Sequence, residues 1–148
     1  MKVGCPWAAV HWVHNLGVQL TSTVVQIFAK DVRRSIAFYR LVGLPVPEPT
    51  GPDPHVDVEL PGGNRLSFDA EQTITGMHPD WTPPDSAGRV ALAFGFDSPA
   101  EVDGMFERLT AAGNPGSLSP YDAPWGQRYA TVLDPDGSLV DLFAPQAG

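Results

Sequence analysis

Apolar and polar positions along this chain recur in two rhythms, a period of two and a period of 3.6. Thr21 to Ala29 is rich in Thr, Val, Ile and Phe, residues suited to a strand. Asp31 stands where a helix N-cap belongs. Val32, Ile36, Tyr39 and Val42 follow at i, i+4, i+7 and i+10, one helical stripe that Gly43 ends. Pro45 to Pro54 reads as a proline-rich connection with room for a short edge strand. His55 to Leu60 alternates strictly, with Val56, Val58 and Leu60 on one face and His55, Asp57 and Glu59 on the other. Gly62-Gly63-Asn64 is a turn, and Arg65 to Asp69 is a further short strand. Glu71 to Gly88, with Met77, Trp81, Pro83 and Pro84, reads as an irregular linker, long enough to suggest a functional segment.

The order then restarts. Arg89 to Phe96 is a strand whose Val90, Leu92, Phe94 and Phe96 share a face. Ser98-Pro99-Ala100-Glu101 combines a capping box with Pro at the first helical position; Val102, Met105, Phe106 and Leu109 form the stripe and Gly113 the stop. Ser117 to Ser119 reads as a short strand. Gln127 to Leu133 and Ser138 to Phe143 are the last two strands, joined by Asp134-Pro135-Asp136-Gly137. The prediction is strand-helix-strand-strand-strand, twice: an α+β fold of two βαβββ modules, residues 21–76 and 89–148, with a linker over 77–88. One helix covers one face of each sheet, and two sheets facing each other would cover the rest and enclose a cleft. Residues 1–20 do not share the pattern. They read as an added helix or arm, or as lying upstream of a true start at Val18.

Composition narrows the partners. A chain of 148 residues buries roughly 68–70% of its unfolded surface on folding, enough for a core of its own. Its 43% hydrophobic and 18% charged residues are those of a soluble globular domain. A formal charge of −8 argues against nucleic acid and favours the approach of a cation. Cys5 is the only cysteine, so an internal disulfide and a CxxC metal knuckle are both excluded, which suits the cytoplasm. No apolar run approaches the ~20 residues of a membrane span. Pro6, His11, His14 and Asn15 interrupt the N-terminal apolar stretch, so no signal peptide is expected.

The duplication, with Asp31…Phe38-Tyr39…Gly43-Leu44 in the first copy and Trp125-Gly126-Gln127-Arg128…Asp134-Pro135-Asp136-Gly137…Asp141 in the second, resembles the vicinal oxygen chelate superfamily. That group includes glyoxalase I, extradiol dioxygenases, fosfomycin-resistance enzymes and bleomycin-resistance proteins. The resemblance spans residues 22 to 145 and is specific for the superfamily rather than for one activity. In its metal-dependent members a His near the start of each module's first strand and a carboxylate on each last strand hold the ion. Carried over, these positions are about Val24, Ser67, about Ala91 and Asp141. One of the four keeps a ligand, and neither first strand contains a His. A catalytic divalent ion takes about three protein ligands, so no metal and no cofactor are expected. The resemblance also implies a homodimer, since many relatives build their clefts across two chains.

Strand parity places Gln26 and Phe28 on the cleft face with position 24, Ala91 with Ala93, and Asp141 with Phe143. Asp141 is the candidate base or cation anchor, against a plain pairing with Arg128 or a backbone amide. Ser67 and Asp69 share the matching strand of the first module. Trp125, Tyr129 and Trp81 suit a stacking wall for a cation. Arg128 suits a ligand carboxylate or phosphate, or a structural pair with Asp122 or Asp134. His55, Asp57 and Glu59 form either a polar cleft edge or a solvated strand face. His78 reads as an exposed linker residue, and His11-x-x-His14 has helical metal spacing without a third partner. The reading that these residues support is a metal-free binder of a small cationic or aromatic molecule, sequestering an antibiotic or metabolite as bleomycin-resistance proteins do. Its rivals are a metal-dependent lyase or dioxygenase with the ion near Asp141, and a metal-free isomerase or cyclase working through Asp141 or Asp69.

Overall fold

Strand β1 (Val24–Ala29) leads into helix α1 (Val32–Val42) in the computed structural model, which describes residues 22–52, 54–85 and 90–146. Both ends of α1 close as the sequence dictates. The Asp31 carboxylate accepts the Arg34 amide at 3.2 Å, and Gly43 at φ 116° takes a left-handed conformation that a side chain would strain. Strands β2 (Val56–Glu59) and β3 (Arg65–Ala70) follow, then helix α2 (Glu71–Met77). The second module runs β4 (Leu92–Gly95), α3 (Pro99–Ala111), β5 (Gly116–Ala123), β6 (Gln127–Leu133) and β7 (Leu139–Pro145). The capping box on α3 forms in full: the Ser98 hydroxyl accepts the Glu101 amide, and the Glu101 carboxylate accepts the Ser98 amide at 2.9 Å.

The α+β class and the glyoxalase-like architecture stand, with a three-stranded sheet ordered β1-β3-β2 and a four-stranded sheet ordered β4-β7-β6-β5. In each, the first and last strands of the module pair parallel, with Gln26 beside Ser67 and Ala93 beside Asp141. That shared register is the structural form of the sequence repeat.

The structure departs from the periodicity at several places. The described part of Pro45 to Pro54 forms no strand, so the first module has three strands rather than four; its prolines lack the N–H groups a ladder needs. The expected linker instead begins with α2, which has no side-chain cap and buries only Ile74. Strand β4 is shorter than the run from Arg89 to Phe96. Strand β5 is longer than Ser117 to Ser119 and passes through register shifts against β6. The extension over residues 1–20, with Cys5, the His11/His14 pair and the proposed start at Val18, lies outside the described residues.

One face of each sheet packs on its helix. Leu66 and Phe68 of β3 join Ile36 and Tyr39 of α1, while Ala130, Val132, Val140 and Leu142 join Val102 and Leu109 of α3. Burying one large side chain of this kind is worth about 1.5–3 kcal/mol. The modules meet through α1 and α3, so these helices, rather than the opposite sheet faces, supply the shared core. The expected enclosure of a cleft by two facing sheets is therefore not made within the chain: the sheets remain unclosed, and their far faces carry the polar residues.

A second tie crosses the modules at the Asp134–Gly137 turn. The buried Tyr39 hydroxyl donates to Asp134 Oδ2 at 2.9 Å. Asp136 accepts the Lys30 amide at 3.1 Å and the Ser35 hydroxyl at 3.2 Å, at the start of α1. A carboxylate there also complements the positive end of the helix dipole.

Candidate functional site

The helix-free face of the second sheet is built by alternation. On β6, Arg128, Ala130 and Val132 point to α3, which leaves Tyr129 and Thr131 on the other side. Opposite them on β7 are Phe143 and Asp141. Asp141 is held at both oxygens, accepting the Tyr129 hydroxyl and the Thr131 hydroxyl at 2.7 Å each. Burial, and then the hydrogen bond to Asp141, push the Tyr129 phenol above its ordinary value, so it stays a donor across the physiological range. Gly95 on β4 leaves the space that the Phe143 ring occupies; a Cβ there would sit 3.0 Å from the ring. Tyr129 also meets Trp125 edge-on at 5.4 Å, and Tyr121 completes a group of three aromatic rings. Trp125 is 58% exposed, and its indole N–H donates to Gln127 at 2.9 Å. The arrangement offers a fixed carboxylate beside exposed aromatic faces.

The helix-free face of the first sheet carries a different set. His55 Nδ1 lies 2.7 Å from Asp69 Oδ1, and His55 Nε2 lies 3.3 Å from Asp57 Oδ1. The hydrogen bond to Asp69 is the largest influence on the imidazole and raises its pKa against the opposing effect of burial, with the charges of Asp69 and Asp57 adding to the rise. Ser67, opposite Asp57 on one side and Gln26 on the other, is fully buried. Phe28 stands beside Asp69 across the β1–β3 pair and meets Trp81 edge-on at 5.6 Å.

A cleft of about 640 Å³ opens between the modules, lined by Phe28, Trp81, Leu92, Leu139, Lys30 and Asp136 among others. It lies along the edge strands β1 and β4, under the segment that follows α2.

The sequence-derived site residues thus fall into separate groups. Asp141, Tyr129, Trp125 and Phe143 come together on the second sheet. Ser67 and Asp69 lie on the first. Gln26, Phe28 and Trp81 line the cleft between modules. Ala91 precedes β4 and is exposed, and the residue beside Asp141 is Ala93. Arg128 stands apart on the helix side of its sheet, donating to Asp103 at 2.8 and 3.2 Å and to Asp122 at 3.2 Å. These bonds, that to Asp103 foremost, raise its pKa. Its partner on α3 was not among those the sequence suggested, although its parity with Ala130 and Val132 points to the helix side. Thr131 and Tyr121 were missed. Thr131 is legible once β6 and β7 are paired in register, whereas Tyr121 depends on the irregular course of β5.

The four positions that match the superfamily's metal ligands do not fit a metal. Val24 and Ala91 carry no ligand atom, Ser67 offers a buried hydroxyl, and both oxygens of Asp141 are engaged by hydroxyl donors. No group of three or more His, Cys, Asp or Glu side chains among the described residues is placed to hold a metal ion.

Two helix-backed sheets, each with the first and last strands of its module paired parallel, define the glyoxalase-like class of α+β folds. The chain belongs to the Glyoxalase/Bleomycin resistance protein/Dioxygenase superfamily, whose family model matches residues 16–142. Among solved structures it is similar to a glyoxalase/bleomycin resistance protein/dioxygenase family enzyme from Burkholderia phytofirmans PsJN, with a TM-score of 0.72, 24% identity, and coverage of 83% of this chain and 97% of that one. A glyoxalase/bleomycin resistance protein/dioxygenase from Nocardioides gives a TM-score of 0.67 and 27% identity, covering 88% of this chain and 87% of that one. A lactoylglutathione lyase from Agrobacterium tumefaciens gives 0.60 and 24%, covering 82% and 91%. No curated protein matches the chain. No helix among the described residues is long and apolar enough to cross a membrane.

Proposed function

We propose that this chain binds a small cationic, aromatic molecule without a metal and without transforming it, in a cleft completed by a second copy of itself. The observation that carries the reading is the helix-free face of the second sheet, where Tyr129 links Asp141, to which its hydroxyl donates, with the exposed ring of Trp125 and its neighbour Tyr121. Aromatic faces beside a carboxylate attract a desolvated organic cation, by roughly 0.5–2 kcal/mol for each ring contact. The charge of −8 draws the same ligand from a distance. What supports a homodimer is that the two sheets do not close on each other within the chain, so that opposing faces from two chains would enclose what one chain leaves open.

Differential scanning fluorimetry with bleomycin and with planar aromatic cations tests the binding. The expected result is a ligand-dependent rise in Tm that Trp125→Ala and Asp141→Asn both reduce. An unchanged Tm with every cation would refute it. Elemental analysis of protein purified without a His-tag gives the second test, because one tightly held divalent metal per chain would replace this reading with a metal-dependent lyase or dioxygenase.

A further inference from the structure

We propose that the open edge of β1, where it borders the cleft between the modules, takes up a short extended peptide with aromatic and basic side chains as an added strand. The site shares no side chain with the group around Trp125 and Asp141, so it stands or falls independently of cation binding on the second sheet.

Three observations meet there. First, the cleft follows a strand edge rather than a sheet face. Val25, Gln26, Ile27 and Phe28 all line it, although their side chains alternate between the two faces of the sheet. Only the backbone edge of a strand borders both faces at once. β1 is an outer strand of its sheet, and the Arg65 amide donates to the Thr23 carbonyl at 3.0 Å. In a parallel ladder that bond turns alternate residues, from Thr23 to Ala29, toward β3. The N–H and C=O groups of Gln26 and Phe28 therefore point away from β3, to the cleft side, and have no hydrogen-bond partner among the described residues.

Second, this edge is unguarded. Edge strands are commonly blunted by Pro, by charged side chains, by bulges or by short length. β5 carries Pro120 and register shifts, β2 has four residues with Asp57 and Glu59, and β4 has four residues. β1 has six, without Pro or charge, and pairs with β3 without a shift.

Third, the walls select one kind of peptide. The cleft holds about 640 Å³, within the roughly 300–1,000 Å³ of ligand sites. Phe28 and Trp81 form an edge-on aromatic corner at 5.6 Å, and Leu92 and the exposed Val90 add apolar surface. The Glu71 and Asp85 carboxylates have no hydrogen bond or ion pair among the described residues. Asp136 adds a third acidic group, Asp134 is buried and already engaged by Tyr39, and Lys30 is the basic residue of the lining. The excess of negative charge favours a basic peptide over an acidic one. An imperfect seam between modules would account for the volume. It would not account for free backbone groups, an aromatic corner and unpaired carboxylates in the same place. In the complex, peptide amides and carbonyls pair with Gln26 and Phe28, an aromatic side chain enters the corner, and flanking cations reach Glu71 and Asp85.

Isothermal titration calorimetry of the intact chain with the blocked pentapeptide acetyl-Lys-Val-Phe-Val-Lys-amide tests this. Saturable binding tighter than about 1 mM is expected. A strand added to one edge uses alternate amides, so N-methylation of both Val residues and N-methylation of Phe should differ. One pattern should weaken binding at least ten-fold and the other should spare it. The acidic analogue acetyl-Glu-Val-Phe-Val-Glu-amide should bind at least ten-fold more weakly than the basic peptide. Trp81→Ala should cost at least ten-fold, whereas Leu118→Ser, on the far edge of the second sheet, should leave the affinity unchanged. Circular dichroism confirms that each variant is folded. Absence of binding, an affinity that neither methylation pattern changes, or a loss with Trp125→Ala but not with Trp81→Ala overturns the proposal.

Discussion

Tyr39 and Asp134 meet across the two modules, and the physics of that single bond is testable. Burial is the main influence on both groups and raises both pKa values. For Asp134 the bonds from Tyr39 and from the Asp136 and Ser138 amides work in the opposite direction but do not cancel it. A carboxyl with a raised folded pKa binds more protons folded than unfolded. Its contribution to stability is therefore greatest below the ordinary aspartate range and is lost as pH rises through the raised value. Tyr39→Phe removes a donor that stabilises the charged form. Urea unfolding of that variant should show a loss of about 1–3 kcal/mol at neutral pH, and a smaller loss in acid, where Asp134 is protonated. An equal loss at both pH values would mean that the contribution of the hydroxyl does not depend on the charge of Asp134. At this scale the sequence was partly legible. Alternation gave the faces of Asp141 and Phe143 correctly, because strand parity needs no knowledge of the partner strand. Which side chains meet across strands, such as Thr131 with Asp141 or His55 with Asp69, depends on register, which local pattern does not encode.

The turn at Asp134–Gly137 shows how one element acts on another. Its sequence announces a tight turn and nothing more, yet Asp136 reaches across to hold the start of α1, accepting the Lys30 amide and the Ser35 hydroxyl beside the Asp31 cap. Asp136→Ala should cost about 1–2 kcal/mol in chemical denaturation, the scale for losing hydrogen bonds to a charged acceptor, although the residue lies far from α1 in sequence. The matching turn of the first module, Gly62-Gly63-Asn64, has no carboxylate to do this for α3, which relies on its own capping box. A second element-scale prediction concerns Gly95. Gly95→Val would drive atoms into the Phe143 ring, so it should lower Tm by several degrees and also disturb the face that holds Asp141. Helices α1 and α3 were readable because caps and a full apolar stripe agreed. Helix α2 was not: it is one short segment with Thr73, Ile74, Thr75 and Gly76, weak helix formers, and it forms because Ile74 packs beneath it. The length of β5 was hidden for the opposite reason. Pro120 argues against a strand, yet β5 is the edge of its sheet, where a missing N–H is tolerated.

For the whole molecule, the duplication fixes the modules but not how they are set against each other, since helix-to-helix and sheet-to-sheet packing can both bury the apolar faces of the same repeats. Here α1 and α3 take the contact, so the two polar faces are left for something other than the chain's own core. If a second copy covers them, folding and association are linked, and stability must depend on protein concentration. Light scattering should then give twice the chain mass, and Tm should rise over a hundred-fold increase in concentration. Trp125→Asp puts a negative charge in place of an exposed ring beside Tyr121 and Tyr129; it should lower the dimer mass fraction and remove the concentration dependence, while far-ultraviolet circular dichroism stays unchanged because Trp125 lies outside the buried core. A chain of single mass whose Tm ignores concentration would instead make each open face a complete surface of its own. Bleomycin binding by that monomer would then place the site on the second sheet alone.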